Sequence, residues 1–413
     1  MYGLLSSVRV VEGASFIAGP YCTLILSQLG AEVIRFEAIG GGPDYRRWPL
    51  GPGGDSFYWE GLNKGKKSVA LNLGMPEGRE LAIAIITAEG KDSGIFVTNY
   101  PEAGFLSHES LCSVRPDLVT ARILGHADGT SAVDYTVNCA VGFPYMTGPQ
   151  GGDRIPINHV LPAWDLLAGS TAAVSVLAAI QHRRRTGLGQ HIRIPLSDVA
   201  AATLGNLGQI AEVAISGADR PKFGNSLFGG FGRDFGCADG KRVMIVALTA
   251  KQWKALITAL DLEAPIRALE SEVGTSLDSD EGARFLHRDR IDAIVEQAVA
   301  QYALAALSQR FKSSAVCFGV YRTVHEALTE DPNFVEANPI FATVKHPSGC
   351  AYPTPGFPAS FSGEARCDPS PAPTLGEDTE EVLTTILRIP GAALGSLHDR
   401  GVIRLASHPV SSI

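Results

Sequence analysis

The chain is expected to fold as an α/β protein, a doubly wound parallel sheet joined to a second, smaller α/β domain, and three observations predict this. Short β-branched runs alternate with amphipathic helical segments through the first half. At 413 residues the chain is too long for one ordinary core, and a glycine-rich stretch, Gly217 to Gly240, separates the first half from a new strand and helix pattern.

Taken in order, Val8 to Val11 is a β-branched run leading into EGASFIAGP. Tyr21 to Leu29 then has helical spacing, and Ala31 to Phe36 is strand-like again. Ser68 to Leu73 reads as a strand, Glu77 to Ala88 as an amphipathic helix opened by Pro76, and Gly94 to Thr98 as a strand ending at Asn99. Leu166 to Arg183 predicts a long helix with Asp165 as its first residue or cap, closed by Arg183 to Arg185 and Thr186-Gly187. His191 to Leu196 is strand-like. Past the glycine-rich stretch, Lys241 to Leu248 reads as a strand and Gln252 to Leu260 as a helix, and helical spacing runs from Arg284 to Arg310. His346 to Phe361 is rich in Pro and Gly, and Thr379 to Leu387 is a last amphipathic helix. The division drawn is a large domain over 1–205 completed by 328–413, a linker over 206–221, and a small domain over 222–327.

A formal charge of -8 argues against a nucleic-acid partner, which needs a basic face to displace counterions. The apolar run Leu166 to Ile180, diluted by Gly169, Ser170, Thr171 and Ser175, is too short for a membrane span and reads as a buried helix, so no membrane partner is expected. Met1 to Val11 lacks the marks of a secretory signal, and seven scattered cysteines without a CxxC pair suit free thiols, so a cytoplasmic setting without a zinc site is expected. A phosphate loop, HExxH, GxSxG and a dinucleotide fingerprint are all missing from the sequence.

Four stretches carry chemistry. Ser15 to Pro20 follows a strand and precedes a helix, where backbone N–H groups can meet an anion, although a plain βα turn has the same pattern. Gly40 to Trp48, with Arg46 and Arg47, and Asn63 to Ser68 bear cations suited to phosphate or carboxylate, or else solvated surface charge. Asp165 at a helix start is either an N-cap or a nucleophile. Phe228 to Asp234 is a glycine-rich loop flanked by aromatics, suited to close approach to a ligand or to linking domains.

Read in order, VVEGASFIAGP, LGAEVIRFE, NKGKKSVALNL with PEGREL, VTNYPEAG, WDLLAGSTAAVSVLAAIQHRRRTGLGQHI and PTLGEDTEEVL resemble the class III CoA-transferase family. The likeness implies a Rossmann-like large domain made from both ends of the chain, a smaller middle domain, and an interlocked, ring-like homodimer. It places the nucleophilic aspartate on Asp165 and implies transfer of CoA between carboxyl groups through an aspartyl-CoA intermediate. An acyl-CoA is then the substrate, with no cofactor beyond the CoA it carries and no metal.

By position, Ser15, Phe16, Ile17, Ala18, Leu71, Asn99 and Tyr100 should line the CoA site. Gly229 and Gly230 should match a mobile glycine loop, and Asp134 an acidic residue beside the nucleophile. Arg46 and Arg47 are candidates for a substrate carboxylate. VEGASFIAGP, EAIGGGPDYRRWP and SFYWEGLNKGKKSVALNL look most like a branch that moves CoA from one carboxyl of mesaconate to the other. The alternatives are transfer between separate short diacids and, further off, α-methylacyl-CoA racemisation. Relatives that racemise carry a His where this chain has Val133, and Ser15 and Ile17 replace a frequent His and Gln.

Overall fold

The structure, a computed structural model, describes residues 1–406. Contacts divide the described residues into two compact units, one of residues 1–141, 160–212 and 335–406 and the other of 142–159 and 213–334. In the first unit lie six parallel strands, β1 (Arg9–Gly13), β2 (Glu32–Glu37), β3 (Lys67–Leu71), β4 (Ile95–Thr98), β5 (Val119–Leu124) and β6 (Gln190–Pro195). They line up as β3-β2-β1-β4-β5-β6, with the short strand Ile403–Arg404 antiparallel on the β3 edge. Helices α1 (Ala18–Gln28), α2 (Phe57–Asn63), α3 (Pro76–Thr87), α4 (His108–Val114) and α5 (Asp134–Ala140) fall between them. The long helix Ala163–Thr186 precedes β6.

The central strands are apolar on both faces because helices cover both, which is why β1 to β4 read as near-continuous hydrophobic runs. Val11, Ile34, Phe36, Val69, Phe96 and Leu106 form one core with Ala82, Ile85 and Ile86 of α3. On the opposite face the long helix packs against α1, β5 and β6. It is long and apolar enough to cross a membrane by length and composition, but Ala168, Ala172, Val176 and Ile180 are buried in this packing.

The approach to α1 is close. A Cβ on Gly169 would lie 2.7 Å from the Ala18 carbonyl oxygen, so glycine is required there. At its other end the helix stops on Gly187 in left-handed conformation, and Arg183 Nη1 donates to the carbonyls of Gly94 (3.1 Å) and Asp117 (3.2 Å).

Charges are buried between the strands. Glu12 of β1 pairs with Arg35 of β2 and with Lys66 Nζ (2.9 Å), and Arg35 also reaches Asp44 (3.0 Å) and Glu37 (3.2 Å). Burial opposes ionisation of Glu12, but Lys66 and Arg35 offset it and hold the carboxyl below its ordinary pKa. Burial pushes Glu37 up to about 7, against the pull of Arg35. Two cations therefore face two carboxylates and a third carboxyl that keeps its proton into the neutral range. The Asn63 to Ser68 cations are committed internally. Lys64 Nζ donates to the Gly61 carbonyl, Lys66 is buried, and Lys67 bridges Glu32 and Glu381.

The carboxy-terminal segment returns to this sheet. Asp378 accepts from the Ser68 N–H (2.7 Å) and Thr379 from the Ala70 N–H (3.1 Å). The Pro- and Gly-rich stretch holds an antiparallel hairpin, Phe341–Lys345 with Ala351–Pro355, whose Tyr352 hydroxyl donates to Glu60 (2.6 Å).

The second unit has an antiparallel sheet of Phe231–Gly236, Arg242–Ala247 and Cys317–Val320, with Phe231, Phe235, Trp253, Ile291, Val295 and Phe311 in its core. The structure draws the division at other points than the sequence does. Residues 142–159 join this unit because Gly224 donates to the Gly148 carbonyl (3.1 Å) and Lys222 Nζ to that of Ile155. Positions 407–413 of the expected completing segment lie outside the described residues.

Replacing Lys66 by Met leaves the Glu12 charge short of a partner in the interior and is expected to destabilise the fold by about 3–5 kcal/mol. Replacing Lys67, which is partly exposed, is expected to cost below about 1 kcal/mol. Denaturant unfolding of both variants checks the contrast.

Candidate active site

In the sheet order, β1 has β2 on one side and β4 on the other, so the connections after β1 and β4 leave in opposite directions. A crevice at the carboxyl ends of such a pair is the usual ligand site of a doubly wound sheet. Ser15 to Ala18 follow β1 and Asn99 and Tyr100 follow β4, and the structure brings them together. The Asn99 side chain accepts from the Ser15 N–H (3.0 Å) and donates to the Ser15 carbonyl (2.8 Å). This two-point grip precedes Phe16, which is held at φ 68°, unusual for a residue other than glycine. Ile17 is the N-cap of α1, and Ala18 is its buried first residue. Tyr100 donates its N–H to Thr98 Oγ1 (3.0 Å). Leu71, expected in this group, is a correction: its side chain is fully buried in the core and its backbone pairs with Ile403, so no surface remains for a ligand.

Asp165 is also displaced from its expected position. The helix begins at Ala163 after Pro162, which offers no side-chain cap, and Asp165 is its third residue. The capping acceptor comes from another element. One oxygen of Asp134, buried at the start of α5, accepts from the N–H groups of Trp164 (2.7 Å) and Asp165 (3.0 Å), and Trp164 Nε1 donates to Asn138 (3.2 Å). Asp165 is thus half-buried with a fixed negative charge beside it. Burial first, then Asp134, push its pKa up to about 7 against the opposing pull of Arg47.

Both arginines are exposed and neither makes an ion pair among the described residues, but Arg47 folds over two aromatic rings. Its guanidinium lies 5.3 Å from the ring centres of both Phe16 and Tyr58. Its backbone carbonyl accepts from Ser56, the N-cap of α2. Tyr58 was not singled out by the sequence. An aromatic next to Trp59 at a helix start reads as packing, and only its neighbours in space make it a site residue.

Gly229 and Gly230 belong to the second unit. Gly229 is exposed at φ 83°, while Gly230 is buried against Glu281. The glycine-rich loop is shorter than expected, because Phe231 to Gly236 forms a strand. Val133, the N-cap of α5, is exposed and has no group that moves a proton. One set of metal-type donors lies together among the described residues, Glu102, Glu109 and His191. Arg193 (3.5 Å) already faces Glu102 there, and all seven cysteines are free.

A family model described as CoA-transferase family III matches residues 5–379, and the chain belongs to that family of enzymes. Among curated relatives, it is 46% identical to the 2-methylfumaryl-CoA isomerase of Chloroflexus aurantiacus, over 98% of each chain. It is 30% identical to the succinyl-CoA:mesaconate CoA-transferase of Haloarcula marismortui over 71% of this chain and 74% of that one. A CAIB/BAIF family protein from Brucella suis shares the fold, with a TM-score of 0.75 at 24% identity, covering 94% of this chain and 100% of that one.

Two outcomes follow from the charge pairing. Asp134→Asn keeps a cap acceptor but removes the repelling charge, so the acid limb of the pH dependence of kcat/KM should move below about 7. The raised Asp165 pKa means that between about 4 and about 7 the folded chain holds a proton the unfolded chain has lost, so stability falls as pH rises through that window. Asp165→Asn should therefore melt above the parent at about pH 8, with the gap narrowing towards about pH 5 in thermal scans.

Proposed function

We propose that this enzyme moves coenzyme A between the two carboxyl groups of one diacid, converting 2-methylfumaryl-CoA to 3-methylfumaryl-CoA, with Asp165 as the nucleophile. The observation that carries the reading is the half-buried Asp165 carboxylate, held beside Asp134 and within the field of Arg47, one helical turn from the contact between Gly169 and Ala18 of the first loop. The 46% identical relative supports the substrate.

A pKa near 7 leaves much of Asp165 ionised at neutral pH while making its oxygen more basic than an ordinary carboxylate. In the proposed sequence an Asp165 oxygen bonds to the C1 thioester carbon and the carbon–sulfur bond breaks, giving a mixed anhydride and free CoA thiolate. The thiolate attacks the aspartyl carbonyl and releases the diacid as its carboxylate. The other carboxylate of the same diacid then attacks the aspartyl thioester and expels CoA thiolate, giving a second mixed anhydride, and the thiolate attacks the diacid carbonyl at that end and releases the Asp165 carboxylate. Acyl activation is conserved at each step, so no external energy source is needed.

Retention of the free diacid distinguishes this from the second reading, transfer between separate acids, which the 30% identical succinyl-CoA:mesaconate relative favours. Racemisation lacks a proton-transfer group at Val133. The reading extends to a Rossmann-like large domain, a cytoplasmic setting and a homodimer. The homodimer is supported by exposed apolar side chains at Leu167, Val174, Leu188 and Leu207 beside the edge strand β6.

Incubated with 2-methylfumaryl-CoA alone, the pure protein is expected to form the isomeric thioester without a second acid, and labelled free mesaconate should stay out of the product. Ready incorporation of label would establish the second reading. Asp165→Ala is expected to lower turnover by at least about 10³-fold with CoA binding kept, and substantial residual turnover would remove Asp165 from the mechanism.

A further inference from the structure

The segment Ser56 to Trp59 holds one polar group that the mechanism above does not use. Its neighbours are satisfied. Ser56 accepts from the Trp59 N–H (3.0 Å) and donates to the Arg47 carbonyl, and Trp59 Nε1 donates to Pro373 (3.3 Å). The Tyr58 hydroxyl, in contrast, is shut off from solvent and has no hydrogen-bond partner. A buried hydroxyl left unpaired is unfavourable, and a native structure keeps one where something else completes it.

What surrounds Tyr58 suggests what completes it. The Arg47 guanidinium lies over its ring and makes no ion pair among the described residues, so its N–H groups remain open to an anion. The Ser56 bond to the Arg47 backbone ties α2 to the arginine's loop, which sets the two side chains in register. Tyr58 also lies within the electrostatic reach of Asp165. Burial, with Asp44 and Asp165 adding to it, raises its pKa, so the hydroxyl stays a protonated donor. A neutral donor and a free guanidinium side by side form a carboxylate-binding pair.

We propose that Tyr58 is a specificity-determining residue that, with Arg47, holds the carboxylate of the diacid not engaged by Asp165. This rests on the reading of Asp165 as acyl acceptor. In a transfer from one end of a diacid to the other, the same pair receives either carboxylate in turn, which keeps the free acid in place while its ends exchange.

The test is binding of two thioesters to the Asp165→Ala protein, with and without Tyr58→Phe, by calorimetry. One is 2-methylfumaryl-CoA. The other is 2-methylbut-2-enoyl-CoA, in which a methyl group stands where the free carboxylate would be. Tyr58→Phe is expected to weaken the first about 10- to 100-fold, the range of a hydrogen bond to a charged group, and to leave the second unchanged. Arg47→Gln should give the same pattern. Equal weakening of both thioesters, or none of the diacid thioester, overturns the proposal. Should the Asp165→Ala protein itself turn over 2-methylfumaryl-CoA, the nucleophile assignment fails, and the affinity difference still decides the role of Tyr58.

Discussion

The long helix begins with backbone N–H groups that no neighbouring side chain can satisfy, because Pro162 stands where a capping residue would. Asp134 supplies the acceptor from the start of α5. That bond pins the head of the helix, while the Gly169 contact fixes its distance from α1 and Arg183 anchors its tail. The cap is also a charge. A hydroxyl or amide would have closed the helix equally well, but a carboxylate makes ionising Asp165 harder, and Arg47 counters only part of the effect. One hydrogen-bonding requirement thus sets where Asp165 sits and adds to what burial already does to make it basic.

The buried charges play the corresponding part beneath the first loop. Glu12, Arg35 and Lys66 join β1 and β2 to the start of β3, and the Arg35 bond to Asp44 carries that order out to the loop bearing Arg47. An apolar core of the same volume could be as stable. It would not specify where a polar loop leaves the sheet edge, and the site depends on that placement.

Much of this was legible in the sequence, for physical reasons that differ by element. The strands β1 to β4 are β-branched runs covered on both faces, and their period marks them. β5 escaped notice because Thr120 and Arg122 interrupt its apolar pattern, although Arg122 is buried and bonded to the carbonyls of Tyr100 and Leu106. The hairpin at 341–355 was hidden by Pro353 and Pro355, residues that argue against a strand and are tolerated on an isolated pair. At the site, Asp165 stood out through the helix that follows it and through family likeness. The role of Asp134 as its cap spans some thirty positions and has no local signal. Lys66 looked like solvated charge because nothing nearby announces Glu12 as its partner. Leu71 was misplaced because a position in a motif says nothing about which way a strand residue faces.

Phe16 has one further consequence. A bulky residue in the left-handed region relaxes away unless something prevents it, and the Asn99 amide, bound to both backbone groups of Ser15, does so. The loop after β1 is therefore preorganised: its conformational entropy was already surrendered on folding, so any ligand received there spends less of its binding free energy on ordering the protein.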